Sequence, residues 1–140
     1  MQITRETDYA IRCVLYLTSR TDRVIMVDEI SREMAMPKSF LAKILQKLVK
    51  ADIARSFRGI RGGFQLSREP RDITLLDVIE AIEGAIALNA CVLDKTVCGF
   101  SSICAVHPIW VTLRGEFNAL LKKHNFAEIT EAALHANSES

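Results

Sequence analysis

Residues 37–66 read PKSFLAKILQKLVKADIARSFRGIRGGFQL, and two patterns in this stretch decide the fold. From Pro37 to Lys50, the apolar side chains Leu41, Ile44, Leu45, Leu48 and Val49 recur at helical spacing. They predict a helix over residues 37–50 with Pro37 in its first turn. The opposite side carries Ser39, Lys43, Gln46, Lys47 and Lys50. Two β-prone runs follow, Ile53 to Phe57 and Phe64 to Leu66. The segment Arg58-Gly59-Ile60-Arg61-Gly62-Gly63 between them marks a hairpin, because glycines let the backbone turn and approach another surface.

Upstream, Ala10, Cys13, Val14 and Leu17 predict a first helix over 7–19 with Thr7 as its N-cap. Thr21 to Arg23 makes a turn, and Asp28 is placed to cap a short second helix ending near Met34. A short helix, the connection Ala35-Met36 and a cationic helix read as a helix-turn-helix whose second member enters the DNA major groove. Lys and Gln there can address base edges and phosphates, and the two arginines of the hairpin suit a narrow, electronegative minor groove. The expected architecture is mainly α: a winged helix-turn-helix with a two-stranded β wing and a long C-terminal helix. The predicted DNA contacts are Lys38, Ser39, Lys43, Gln46, Lys47, Arg58, Gly59, Arg61, Gly62 and Gly63.

Charge distribution supports a polyanionic partner. Residues 1–72 carry 14 Lys/Arg against 9 Asp/Glu, whereas residues 73–140 carry 4 against 8. Between Lys38 and Arg61 there are seven basic side chains and one acid, Asp52. A solvated charged face would give the same count, so the motif context carries the argument. With 49% hydrophobic and 25% charged residues the 140-residue chain has an ordinary globular composition, which excludes a disordered or fibrous protein. The apolar runs fall short of the roughly 20 residues that span a bilayer. Residues Met1 to Glu6 lack the pattern of a signal peptide, so a cytoplasmic protein without membrane contact is expected.

Downstream, Thr74-x-x-Asp77 resembles a capping box opening a fourth helix over Leu75, Val78, Ile79 and Ile82, which Gly84 ends. Residues 85–106 lose periodicity. Pro108 then opens a fifth helix to about His124, with Trp110, Leu113, Phe117, Leu120 and His124 on one stripe longer than a small domain needs for itself. A short helix over Ala127 to Leu134 precedes a polar tail. The chain thus divides into a DNA-binding domain (1–84), a cysteine-rich loop (85–106) and a dimerisation helix with the C-terminal helix and tail (107–140).

The chemistry lies in the loop, as Cys91-x6-Cys98-x5-Cys104-x2-His107. Three thiols and an imidazole on one loop can wrap a metal centre, and thiolates suit iron-sulfur clusters and zinc alike. Gaps of six and five exceed the two to four residues usual between zinc ligands. Spacing alone therefore leaves a cluster, a zinc site, a thiol switch and plain buried cysteines open. Cys13 belongs to the apolar stripe of the first helix and reads as an inert core thiol. Asp8 near the start of that helix has a simple dipole role available, and His107 can merely pack. His124 and His135 show no partner. No phosphate loop, nucleophile motif or acid pair accompanies the cysteines, so an enzyme is not expected and an electron-transfer protein is a remote alternative.

Together, Ile3-Thr4, Asp8-Tyr9-Ala10-Ile11-Arg12, Phe40 to Leu45, Val49 to Ile53, the wing Arg58 to Phe64, Ile73 to Ile79 and the cysteine loop resemble the BadM/Rrf-two superfamily of bacterial transcription regulators, in its iron-sulfur branch of IscR, NsrR and RirA type. The resemblance runs from Met1 to about Leu134. It implies a homodimer joined by the long helix and bound to a partly palindromic operator in double-stranded DNA, with no small-molecule substrate. It also implies that Cys91, Cys98 and Cys104 hold a 2Fe-2S or 4Fe-4S cluster sensing iron, redox state or nitric oxide. For the fourth ligand it offers two precedents, matched here by His107 and by Asp8 from the second subunit. The gap between Cys91 and Cys98 is one residue longer than in the cluster-assembly regulators, so the resemblance does not fix the cluster type.

Overall fold

The computed structural model describes residues 2–139. It contains helices α1 (Arg5–Thr18), α2 (Val27–Glu33) and α3 (Lys38–Lys50), strands β1 (Ala54–Phe57) and β2 (Gly63–Leu66), and helices α4 (Leu75–Glu83), α5 (Ala90–Leu93), α6 (His107–Lys122) and α7 (Phe126–Ser138), with 3-10 turns at Pro70–Asp72 and Lys95–Val97. This is a winged helix-turn-helix. Ala10, Cys13 and Val14 of α1, Ile30 of α2, Leu41, Ile44, Leu45 and Leu48 of α3, and Val78 of α4 are all fully buried in one core. Phe126, the first residue of α7, completes that core. At about 25 cal/mol per Å² of apolar surface, each such large aliphatic residue contributes roughly 1.5–3 kcal/mol.

Helix starts follow hydroxyl chemistry where a hydroxyl is placed for it. Thr4, and not Thr7, caps α1: its Oγ1 accepts from the Thr7 backbone N–H at 3.2 Å. The Thr7 hydroxyl is instead buried and donates to Glu83 at 2.6 Å, which moves the helix start two residues upstream of expectation. Met26 and Pro37 occupy the N-cap positions of α2 and α3 without side-chain capping bonds. Asp28 is therefore not a cap; it lies in the first turn of α2 and pairs with Lys38 at 2.6 Å. At α4 the expected capping box is present in both directions, Asp77 N–H to Thr74 Oγ1 at 3.2 Å and Thr74 N–H to Asp77 Oδ2 at 2.9 Å.

The turn between α2 and α3 holds Ala35 at φ +50°, a left-handed conformation that alanine adopts at a cost. Two bonds between Ser31 and Met36 secure it: the Met36 N–H donates to the Ser31 carbonyl at 3.0 Å, and the Ser31 hydroxyl to the Met36 carbonyl at 2.6 Å. The wing pairs Ala54 with Leu66 through Phe57 with Gly63, antiparallel. It is anchored by a reciprocal bridge between Ile25 and Phe64, both bonds 2.8 Å.

Glu29 staples α2 to α1. Its carboxylate accepts from the Arg23 guanidinium at 2.8 and 3.0 Å and from the Tyr16 hydroxyl at 2.7 Å. The Arg23 bonds, then the Tyr16 bond, hold its pKa down at about 2, below an ordinary 4.5. Since the folded value is depressed, this stabilisation is complete above pH 4.5 and is lost as pH falls towards 2. The Glu29 side chain keeps 24% of its surface in water, so screening limits the net effect to about 1 kcal/mol. Urea denaturation of Glu29→Gln is expected to show that loss near neutral pH and a shallower decline between pH 4.5 and 2 than the parent protein.

A second apolar cluster, Leu76, Ile79 and Ile86, forms where α4 meets the foot of the cysteine loop. The Arg114 guanidinium of α6 donates to the Ile86 carbonyl at 2.9 Å and fixes that foot. Beyond it the chain exposes apolar surface: Phe100 and Ile103 of the loop are 68% and 79% exposed. Leu113, Phe117 and Leu120 of α6 are also exposed, and His107 alone of that helix is buried among the described residues. The expected stripe is present on α6, and most of its length is exposed among the described residues. The last helix, predicted as a short segment over Ala127 to Leu134, runs from Phe126 to Ser138. No described helix is long and apolar enough to cross a membrane.

Candidate nucleic-acid interface and cysteine centre

The stripe of α3 that faces the core leaves Lys38, Ser39, Lys43 and Gln46 exposed on the opposite side, with Lys47 half-buried. Phe40, Lys43, Gln46, Lys47, Lys50 and Glu6 line an open groove of about 480 Å³ along this face. At the wing, the Gly62 N–H donates to the Gly59 carbonyl at 3.0 Å, closing a turn with Ile60 and Arg61 at its corner. Gly59 takes φ +106°, a conformation that favours glycine. Arg58 and Arg61 are exposed, and Ile60 between them is 97% exposed. A groove of about 410 Å³ runs from Met26 and Asp28 at the start of α2 to Arg58, Gly59 and Gly62 of the wing. The Asp28–Lys38 pair joins that groove to the start of α3.

Two acids on this surface pair with expected DNA contacts, Asp28 where the sequence placed a helix cap and Glu6 where it assigned no role. Asp28 pairs with Lys38, and the Glu6 carboxylate of α1 accepts from the Lys47 ammonium at 2.7 Å. Charge spacing along the chain gives little signal for the second pair, whose members lie 41 residues apart.

In the cysteine loop, Cys91 sits on the single turn α5 and His107 opens α6. Both are buried, with His107 Nδ1 3.3 Å from Cys91 Sγ. Cys98 is half-buried and shares a groove of about 450 Å³ with His107, Lys95, Ser101 and Ser102. Cys104 is exposed, and its carbonyl accepts from the His107 N–H at 3.3 Å. Two donors are thus in contact and a third opens onto the same groove. Among the described residues no three His, Cys, Asp or Glu side chains converge on one point. Asp8 stands apart on the exposed side of α1, paired with Arg12 at 2.9 Å. Three thiols and an imidazole make a donor set that fits a thiolate-bound centre. Cys13 does not belong to it: fully buried in the core, its thiol is pushed up to about 12 by desolvation, which keeps it protonated and unreactive.

Helix-turn-helix, wing and basic face define the class of DNA-binding transcription regulators. The chain belongs to the Rrf2 family, whose model, described as an iron-dependent transcriptional regulator, matches residues 3–132. A candidate HTH-type transcriptional regulator of Aquifex aeolicus is 34% identical over 116 residues, 81% of each chain. The HTH-type transcriptional regulator NsrR of Bacillus subtilis is 23% identical over 133 residues, 94% of this chain and 91% of that one. The fold is also that of T. potens IscR (TM-score 0.75, 20% identity, 97% of this chain and 90% of that one). It is equally that of CymR, the global cysteine regulator of B. subtilis (TM-score 0.75, 20% identity, 94% of this chain and 98% of that one).

Proposed function

We propose that this regulator is a homodimeric repressor whose affinity for a partly palindromic operator follows the state of an iron-sulfur cluster held by Cys91, Cys98, Cys104 and His107. The observation that carries this reading is the buried 3.3 Å approach of Cys91 Sγ and His107 Nδ1, at the junction between the cysteine loop and α6. Asp8 of a second subunit is the alternative fourth ligand, but its carboxylate is engaged by Arg12 on its own helix. The cluster supplies a labile, oxidisable centre of 2Fe-2S or 4Fe-4S type. What the chain supplies is the division into a DNA-binding domain (1–84), a cluster loop (85–106) and a dimerisation segment (107–140). The uncovered apolar stripe of α6 supports a second copy as its cover. Lys38, Ser39, Lys43, Gln46 and Lys47 would read the major groove, with Arg58, Gly59, Arg61, Gly62 and Gly63 of the wing in the minor groove.

Exposure of Cys104, and the absence of a three-donor convergence among the described residues, favour one second reading, a cluster-free regulator switching through its thiols; a zinc-stabilised regulator would need the same convergence of donors as a cluster. Iron and acid-labile sulfide analysis of anaerobically purified protein separates the two. The main reading requires both elements in amounts comparable to the protein; neither metal would replace it with the second, and zinc alone with a zinc-stabilised regulator. Arg58→Ala, which removes an exposed wing cation, is expected to weaken DNA binding about tenfold at low salt while iron content stays unchanged.

A further inference from the structure

Glu83 is the last residue of α4, immediately before Gly84 and the cysteine loop. Its Oε1 accepts three bonds from the first turn of α1: from the Thr4 N–H at 3.0 Å, the Thr4 hydroxyl at 3.0 Å and the Thr7 hydroxyl at 2.6 Å. Thr4 is also the residue that caps α1. Glu6, inside the same turn, holds the Lys47 ammonium of α3 at 2.7 Å. The Thr7 hydroxyl, followed by the Thr4 N–H, keeps the Glu83 carboxyl below the ordinary carboxylate range, so it is ionised at neutral pH. An exposed ion pair between long side chains is weak unless its geometry is held. Here one side of the pair is held, because the turn that presents Glu6 is fastened at both of its threonines.

We infer that Glu83 is a positioning residue for DNA binding: by fastening the first turn of α1 it keeps Glu6 on Lys47 in the free protein, so that this cation of the recognition helix reaches the nucleic acid only at the cost of that pair. The inference deepens the DNA-binding reading above and rests on it. Among the described residues the hydrogen bonds of the Glu83 carboxylate run to Thr4 and Thr7 and not to α3 or the wing. Its influence passes through Thr4, Thr7 and Glu6, and a displacement of the cysteine loop at its foot would act on the same carboxylate.

The test is a double-mutant cycle on the full-length protein, with a duplex selected from random DNA by the parent protein and an unrelated duplex as control. Glu6→Gln frees Lys47 and removes a negative charge from the DNA face, so it tightens binding about two- to fivefold at low salt, on both duplexes. Glu83→Ala reproduces about half of that gain, and adds nothing in the Glu6→Gln background. Thr7→Val, which removes one of the three bonds while keeping volume, moves binding in the same direction and serves if Glu83→Ala proves poorly folded. Slow exchange of the Lys47 ammonium protons, followed by nitrogen-edited NMR on free protein, reads the pair without DNA or cluster. It is expected to be lost in Glu6→Gln and weakened in Glu83→Ala. Full additivity of the two substitutions, or a Lys47 signal indifferent to Glu83, overturns the inference. Failure of the parent protein to bind any duplex would instead overturn the DNA-binding reading, with the NMR result still deciding the brace.

Discussion

Gly63→Ala is expected to unseat the wing, costing about 3 kcal/mol of stability and abolishing measurable operator binding. A Cβ at this position would fall on the Ile25 carbonyl and crowd the Met26 nitrogen, all of them backbone atoms that cannot swing aside as a side chain does. The Ile25 carbonyl is one side of the reciprocal Ile25–Phe64 bridge that anchors the hairpin to the domain. Relief therefore requires breaking two 2.8 Å hydrogen bonds or tilting the strand. Either movement carries Arg58 away from its place beside the start of α2. A urea titration measures the stability loss and a fluorescence anisotropy titration the loss of DNA binding. Gly59→Ala makes the contrast: nothing lies within 4 Å of its added Cβ, and only the positive φ penalises it, by about 1 kcal/mol.

Cys98→Ala is the second large effect. The side chain is half-buried on a loop outside the main core, so its truncation is expected to change the stability of cluster-free protein by less than about 0.5 kcal/mol. If Cys91, Cys98 and Cys104 hold the proposed cluster, loss of one of the three should nevertheless eliminate visible cluster absorption. Affinity for the selected duplex should then shift to the cluster-free value, a change of about 10- to 100-fold, in the range of ordinary allosteric couplings. Cys13→Ala, which alters a protonated thiol in the core, should leave absorption intact and cost a small amount of packing energy instead. Equal effects of the two substitutions on absorption would remove the distinction drawn between the loop thiols and the core thiol.

Much of the DNA-binding architecture was legible in the residues because its signals are local. The Leu41-to-Leu48 stripe, the glycine-rich hairpin and the Thr74–Asp77 capping box each act within a few residues, and each is found where spacing placed it. Misplaced boundaries trace to tertiary partners. Thr7 looks like a cap in isolation, but Glu83, 76 residues away, takes its hydroxyl and leaves the capping to Thr4. The four-residue helix carrying Cys91 is too short for periodicity to reveal. For the candidate site, donor types and spacing left a thiolate-bound centre, a thiol switch and plain buried cysteines open, and the resemblance implied the cluster. Only coordinates bring Cys91 against His107, because contact across 16 residues depends on how α5 and α6 pack. The pairings of Glu6 with Lys47 and of Asp28 with Lys38 were not legible for the same reason.

Whether cluster state sets DNA affinity, as proposed, is decided by one titration. A single air-free preparation is divided, one half stripped of iron by chelation, and both halves are titrated into the same selected duplex at one fixed salt concentration. A difference in Kd of about tenfold or more, reversed when iron and sulfide are restored, is the predicted result. Identical curves for an iron-replete and an iron-free sample would contradict it.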